Sequence, residues 1–521
     1  MTSFADAAKQ LAATTTATAA LAPATTTTTT WNGAVSHASS GAARVDFFYG
    51  ALRGVEKERF VTLLSASYEE NALHTLKMVA YIRDSRGGKG ERQIGRWALE
   101  WLAAHHAPEL AHNLKHYIGE YGRFDDPMAV MGSPVEKDAL ELLRTQLVAD
   151  LAVLQSGNDK SSISLCAKWV PSEKKALDKK LKMNKKLSKH MGLSPAALRK
   201  VYLAPLREKL RIIERAMCAN EWEKIDFSKV PSVAMHIHGK PEHAFQRHLP
   251  EKFAAWKASL AKGEVKVNAA ALFPHQVVGQ YLYREEVDEL LEAQWKVMVE
   301  EASAMGSMKK TLVLSDVSGS MSGTPMEVSI ALGLLVSSLA LDAYKDLVLT
   351  FESQPKFHHV VGANLHERVK NLSAAPWGGS TNFAAAFRAV LALATKHQLS
   401  VDQMPDRLIV VSDMQFDQAD RNFETNHQVL KREFQAAGYA VPHLVFWNVN
   451  GRTKDVPVFS GEAKVSLVSG YSSAILKSVL SGLELNPLDT VLAAILESRY
   501  DAITLPGGAA SDHGSDDGVL I

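Results

Sequence analysis

The sequence predicts a multidomain chain, with an all-α helical-repeat region over residues 31–305 followed by an α/β domain with a doubly wound sheet over 306–500. Three observations carry this. Apolar residues recur at helical spacing from about residue 45 to 300. From about residue 308 short apolar runs alternate with helical stretches, the pattern of a parallel sheet covered on both faces. Two of those runs, "KTLVLSD" and "PDRLIVVSD", end in an aspartate, at the strand ends where wound sheets gather their binding loops.

Composition sets the bounds. The chain has 521 residues, 46% hydrophobic and 22% charged, which is ordinary for a globular protein, and a net charge of only +1. Two cysteines, Cys166 and Cys218, argue against a disulfide framework and suit a reducing, cytoplasmic setting. The most apolar stretch, "ALGLLVSSLALDAY", is too short to span a membrane and reads as a buried helix. Residues 1–30 are Ala/Thr-rich and read as a disordered tail, a transit peptide being the minor alternative. A secretory signal does not fit, because Asp6 precedes the first lysine and threonines break the centre. Residues 501–521 read as a second polar tail.

In the helical region "NALHTLKMVAYIRD" places Leu73, Leu76, Val79 and Ala80 on one face, and Gly87 and Gly88 stop that helix. Two further helices flank Pro108, and Ser133-Pro134 opens another. The glycine loop "IRDSRGGKGER" lacks the P-loop spacing. It admits two readings. One is a helix C-cap whose charges pair with Asp84 and Glu91; the other is a nest of backbone N–H groups flanked by Arg83, Arg86, Lys89 and Arg92 that holds a phosphate or a partner's carboxylate.

Residues 160–215 carry twelve lysines and four arginines against four acids, a local charge of +12. Leu177, Leu181 and Leu187 recur between the basic residues, which predicts an amphipathic basic helix, then a turn at Gly192. Its exposed face is either simply solvated or a surface that tracks phosphates, with Lys174, Lys175, Lys179, Lys182, Lys185, Lys186, Lys189, Arg199 and Lys200 as the nucleic-acid-binding candidates. Only Trp169 and Tyr202 stand nearby for base stacking, which favours structured RNA read by shape. His236, His238, His243 and His248 fit no common zinc spacing.

The α/β region reads in order as "KTLVLSD" (strand), "TPMEVSIALGLLVSSLALDA" (buried helix), "DLVLTFES" (strand), two helices, "PDRLIVVSD" (strand), a helix, "PHLVFWNVN" (strand), and a last strand and helix. Asp316, Ser318 and Ser320 leave the first strand, Thr381 sits in the loop "WGGSTN", and Asp413 ends a later strand. Two carboxylates and three hydroxyls form an all-oxygen set suited to Mg²⁺ or Mn²⁺, with room for an incoming carboxylate. Two-metal hydrolysis wants more carboxylates; Asp417 and Glu327 are available, but no His, Cys or Lys base stands beside them.

The D-x-S-x-S, lone Thr and later Asp resemble the metal-ion-dependent adhesion site of von Willebrand factor A domains. That resemblance covers 308–500. It implies that Asp316, Ser318, Ser320 and Thr381 face the ion, that Asp413 acts directly or through water, and that Gly378 and Gly379 let the Thr381 loop approach. The helical half leading into such a domain resembles the Ro autoantigen family, whose TROVE module is a HEAT-like ring of helices that binds small structured RNAs. "TLKMVAYIRDSRGGKGER", "AKWVPS", "MCANEWEKIDFSKVPSVAM", "RHLPEKFAAW" and "VNAAALFPHQVV" are most similar to a TROVE-like family found in plants, bacteria and large viruses. The resemblance implies a non-catalytic scaffold with two partners, a small structured RNA on the basic helices and an acidic protein ligand on the metal. The alternative is a metal-dependent protein adaptor that binds no RNA. No small-molecule substrate and no membrane are expected.

Overall fold

The computed structural model describes residues 27–157, 162–173, 176–306, 308–351, 354–375, 381–417, 425–480, 482 and 484–507. Of the residues singled out above, Lys174, Lys175, Gly378 and Gly379 lie outside these ranges.

The chain enters through a small hairpin of β1 (Thr27–Thr29) and β2 (Val35–His37), paired antiparallel from Thr27–His37 to Thr29–Val35. These threonines were expected inside a disordered tail. They are held because the hairpin lies against the α/β domain, through bridges from Gly33 to Asp417, Val35 to Thr425 and His37 to Val456.

Helices then follow in pairs, among them Ala43–Gly50, Lys57–Glu70, Ala72–Arg83, Arg92–His105, Ala107–His116 and Glu136–Gln155. The Asn71 side chain caps the third of these, accepting from His74 N. The basic helix is broken in two, Ala176–Leu181 and Met183–His190. Lys182 takes the left-handed conformation (φ +52°), and the buried Asp178 carboxylate accepts from Asn184 N to start the second piece. Residues 213–290 contribute a small separate core built on Phe227, Phe245 and Phe253.

The α/β domain holds β3 (Thr311–Ser315), β4 (Leu347–Thr350), β5 (Phe357–His359), β6 (Arg407–Ser412), β7 (His443–Asn448) and β8 (Val465–Ser469) in the order β5-β4-β3-β6-β7-β8. All neighbours pair parallel except β5, which adds to β4 antiparallel at one edge. That edge strand departs from the expected all-parallel sheet: three residues, "FHH", are too few to leave a pattern. The helix Thr324–Leu339 is apolar nearly all round because two surfaces cover it, the sheet on one side and the helix Pro274–Leu282 of the helical region on the other.

One hydrophobic core runs through both halves, from Phe47 and Leu76 through Leu314 and Trp447 to Tyr500 and Ile503. The chain's last described stretch returns to the first helices. Tyr500 and Ile503 are fully buried, the Arg499 guanidinium donates to Asp84 at 2.5 Å, and Thr504 exchanges hydrogen bonds with Asn113. Ile503 and Thr504, expected to lie in a second tail, therefore dock, and residues 508–521 lie outside the described ranges.

Candidate metal centre and basic surface

The first strand of the sheet, β3, and its neighbour β6 are the central pair, where the strand order reverses; the crevice there is where wound sheets take their ligands. Register places Ser315 opposite Val411, and Asp316 N donates to Val411 O at 3.0 Å, so the two strands release Asp316 and Asp413 side by side.

The Asp316 carboxylate is fully buried and takes two donors, Ser318 N on Oδ1 at 2.9 Å and the Ser412 hydroxyl on Oδ2 at 2.5 Å. Ser318 and Ser320 hydroxyls lie 3.1 Å apart at the open side, and the Ser320 hydroxyl also reaches the Asp413 carboxylate. Met414 turns sharply in the left-handed region (φ +64°), which brings Gln415 N back to Asp413 Oδ1 at 3.2 Å. Thr381 is buried, and its carbonyl accepts from Asp417 N at 3.0 Å, tying its loop to the loop after β6. Four of the five expected residues thus form one hydrogen-bonded set, and the fifth, Thr381, is tied through backbone to the loop that follows Asp413.

The electrostatics suit a cation. Burial, with the neighbouring Asp413 carboxylate adding, pushes the Asp316 carboxyl up to about 6. Asp413 is raised likewise by burial, helped by Asp455. Two like charges confined in a poorly solvated rim are relieved by a divalent ion. Among the described residues no group of three His, Cys, Asp or Glu converges; the rim pairs two carboxylates with hydroxyls. Ser412 was not foreseen as a contributor. The signal was present in "VVSD", but the serine reads there as the end of an apolar strand.

The glycine loop turns out differently from the nest. Lys89 is fully buried: its amine donates to Phe48 O, to Ala51 O at 3.2 Å and to Ser469 Oγ at 2.8 Å, and it lies 4.5 Å from the Phe48 ring centre. It caps the carbonyl end of helix Ala43–Gly50 and joins it to β8. Burial pulls its ammonium down to about 7. The backbone closes tightly to drive the side chain inward; a Cβ at Gly88 would sit 2.0 Å from Tyr81 O. Arg83 is buried on Asp126, Arg92 pairs with Asp125 at 2.6 Å, Asp84 takes Arg499, and Glu91 takes Arg53. Of the proposed phosphate contacts Arg83 and Lys89 are buried, while Arg86 and Arg92 stand exposed, Arg92 on Asp125, so the loop carries the structural ion pairs of the helix-cap reading.

On the basic surface Lys179, Lys182, Lys185, Lys189, Arg199 and Lys200 are exposed. Lys186 is half-buried and paired with Glu136 at 2.6 Å. The Arg123 guanidinium lies 4.0 Å from the Trp169 ring and occupies one of its faces. Beside this surface lies a cleft of about 500 Å³, lined by Arg211, Arg215, Lys224 and Lys229 with Glu208, Glu221 and Asp226. The four histidines do not converge. His236 meets Gln280 at 3.1 Å and His248 stacks on Trp222 at 3.8 Å.

A wound sheet carrying this rim at its switch point, fused to a helical-repeat region, is a von Willebrand factor A-like domain on an α-helical partner. The chain belongs to the family described as domain of unknown function DUF2828, whose model matches residues 30–127 and 138–308, and the domain of unknown function DUF7788 matches residues 310–498. Uncharacterized protein L728 of Acanthamoeba polyphaga mimivirus is 33% identical over 497 residues, covering 88% of this chain and 86% of that protein. A relative in a large virus is what the TROVE-like resemblance implies. Among solved structures the Deinococcus radiodurans Ro (RSR) protein is similar at 14% identity and a TM-score of 0.39, over 88% of this chain and 99% of that one. Among the described residues no helix is long and apolar enough to cross a membrane.

Proposed function

We propose that the protein is a non-catalytic, RNA-associated scaffold of the cytoplasm. The rim of Asp316, Ser318, Ser320, Thr381 and Asp413 takes Mg²⁺ or Mn²⁺, and the ion holds an acidic residue of a protein partner. The observation that carries this reading is the buried pair Asp316 and Asp413, both raised by burial, Asp316 also by the Asp413 carboxylate, beneath the outward-facing hydroxyls of Ser318 and Ser320. When bound, the ion supplies an open coordination position. The chain's own residues fix the carboxylates through Ser412 and the Gln415 backbone and leave the mouth polar.

The RNA half rests on the exposed cluster Lys179, Lys182, Lys185, Lys189, Arg199 and Lys200, which fits phosphates read by backbone contact. A metal-dependent adaptor without RNA is the second reading. The pairing of Lys186 with Glu136 and the covered face of Trp169 favour it, because both reduce what the surface offers a nucleic acid. The test is calorimetry of the full chain with Mg²⁺ and Mn²⁺, joined to pull-downs with and without EDTA and to folded-RNA binding across a salt series. Identical captured proteins with and without EDTA refute the metal half, and salt-independent or absent RNA binding refutes the RNA half.

A further inference from the structure

Trp31 is 92% exposed, the most open of the large apolar side chains among the described residues. Its backbone is nonetheless firmly held. The turn of the first hairpin closes through Gly33 N to Thr30 O at 3.0 Å, with Gly33 at φ +87°. Trp31 N donates to Gln415 Oε1 at 2.6 Å, Asn32 Nδ2 to Gln415 O at 2.6 Å, and the Thr30 hydroxyl to Phe416 O at 2.7 Å. Gln415 is the residue whose backbone N–H reaches Asp413, and Asp417, bridged to Gly33, is the residue whose N–H reaches the Thr381 carbonyl. The hairpin is therefore bolted to the loop that follows Asp413, which in turn holds the Thr381 loop, and it carries a bare indole.

We propose that Trp31 is the second contact of the metal-site ligand and sets its specificity. The occupant is an extended protein segment in which one acidic side chain completes the ion's shell and a neighbouring aromatic or long aliphatic side chain lies on the Trp31 indole. Trp31 is held on Gln415, two residues beyond Asp413, so an extended segment rising about 3.4 Å per residue reaches the hairpin within a few positions of its acidic residue. Charge complementarity selects peptide over nucleic acid. Two rim carboxylates balance a dication and leave a place for one carboxylate, while Asp417 and Asp455 beside the rim repel a row of phosphates. A solvent-exposed tryptophan on a fixed backbone costs little ordering when it is covered, which is how such residues anchor interfaces.

This inference rests on the metal-site reading, and the test separates the two. The probe is an array of capped synthetic peptides, each with one Asp or Glu and with Phe, Leu or Ser one or two positions to either side, applied to the full chain with Mg²⁺ and with EDTA. The expected result is Mg²⁺-dependent binding in which Phe or Leu exceeds Ser by about tenfold, the ratio a good contact gives. Trp31→Ala erases that preference while Mg²⁺ uptake and weak acidic-peptide binding persist, and Asp316→Ala removes all three. A preference unchanged in Trp31→Ala overturns the inference alone. So does normal Mg²⁺ uptake without any Mg²⁺-dependent peptide binding, or a Trp31→Ala defect confined to single-stranded RNA. Failure of Mg²⁺ uptake by the unaltered chain overturns the metal site and the inference with it.

Discussion

The Lys89 amine stands 2.8 Å from Ser469 Oγ, which fastens the glycine loop of the helical region to the last strand of the sheet. An ammonium has three donors, and all three are spent here, two of them on carbonyls at the end of helix Ala43–Gly50. Lys89→Met leaves those carbonyls without their donor and is expected to destabilise the chain by about 1–3 kcal/mol. The pH dependence has a definite sign. Burial holds the folded ammonium down to about 7, so the folded chain binds fewer protons than the unfolded chain between there and lysine's ordinary value of about 10.4. The burial penalty is full below about pH 7 and fades as pH rises. The gap in melting temperature between wild type and Lys89→Met therefore widens from pH 6.5 to pH 9 in thermal melts; a constant gap refutes a charged, buried clamp.

Mg²⁺ is expected to raise the melting temperature of the full chain, and EDTA to reverse the shift, as for any ligand that binds only the folded state. Asp316→Asn abolishes the shift. It costs no stability in EDTA, because the raised Asp316 carboxyl already opposes folding above about pH 6. Calorimetry and melts on the same samples read both effects.

If the basic helices hold RNA, reversing Lys185, Lys189, Arg199 and Lys200 to Glu weakens binding to folded RNA and flattens its salt dependence. Each lost phosphate contact removes about 0.7–0.9 from the log–log slope. Lys186→Glu affects stability first, through its pair with Glu136. Filter binding from low to moderate salt distinguishes the two outcomes.

Tyr500→Ala opens the joint between the last described residues and the first helices, where its ring meets Tyr81 at 5.8 Å and Tyr121 at 5.4 Å. The expected loss is about 3 kcal/mol or more by the usual scale of aromatic truncation. Arg499→Ala leaves the buried Asp84 carboxylate short of a partner and destabilises as well, by about 2 kcal/mol after discounting for the partly exposed arginine. Denaturant midpoints measure both.

The placement of Asp316 and Asp413 was legible because alternating strands and helices fix which positions end a strand, and Ser318 and Ser320 follow in the loop after the first; Thr381, ahead of a helix, rested on its glycine-flanked loop instead. The hairpin was not legible. A run of threonines carries no periodicity, and Trp31 finds Gln415 across 384 positions of sequence. The glycine loop stayed ambiguous for the same reason: Arg83, Asp84 and Lys89 take partners at Asp126, Arg499 and Ser469, which no local pattern announces. The break in the basic helix turns on one left-handed lysine, Lys182, whose neighbours alone would have continued the helix.

The closing of the first helices by Arg499, Tyr500 and Ile503 has a consequence during synthesis. A ribosome adds about 5–20 residues per second, so tens of seconds separate the emergence of Tyr81 and Tyr121 from that of their cover. Over that interval the nascent chain holds an aromatic face open to water, a surface that chaperones grip. Premature termination anywhere before Tyr500 releases a product whose oldest helices were never sealed.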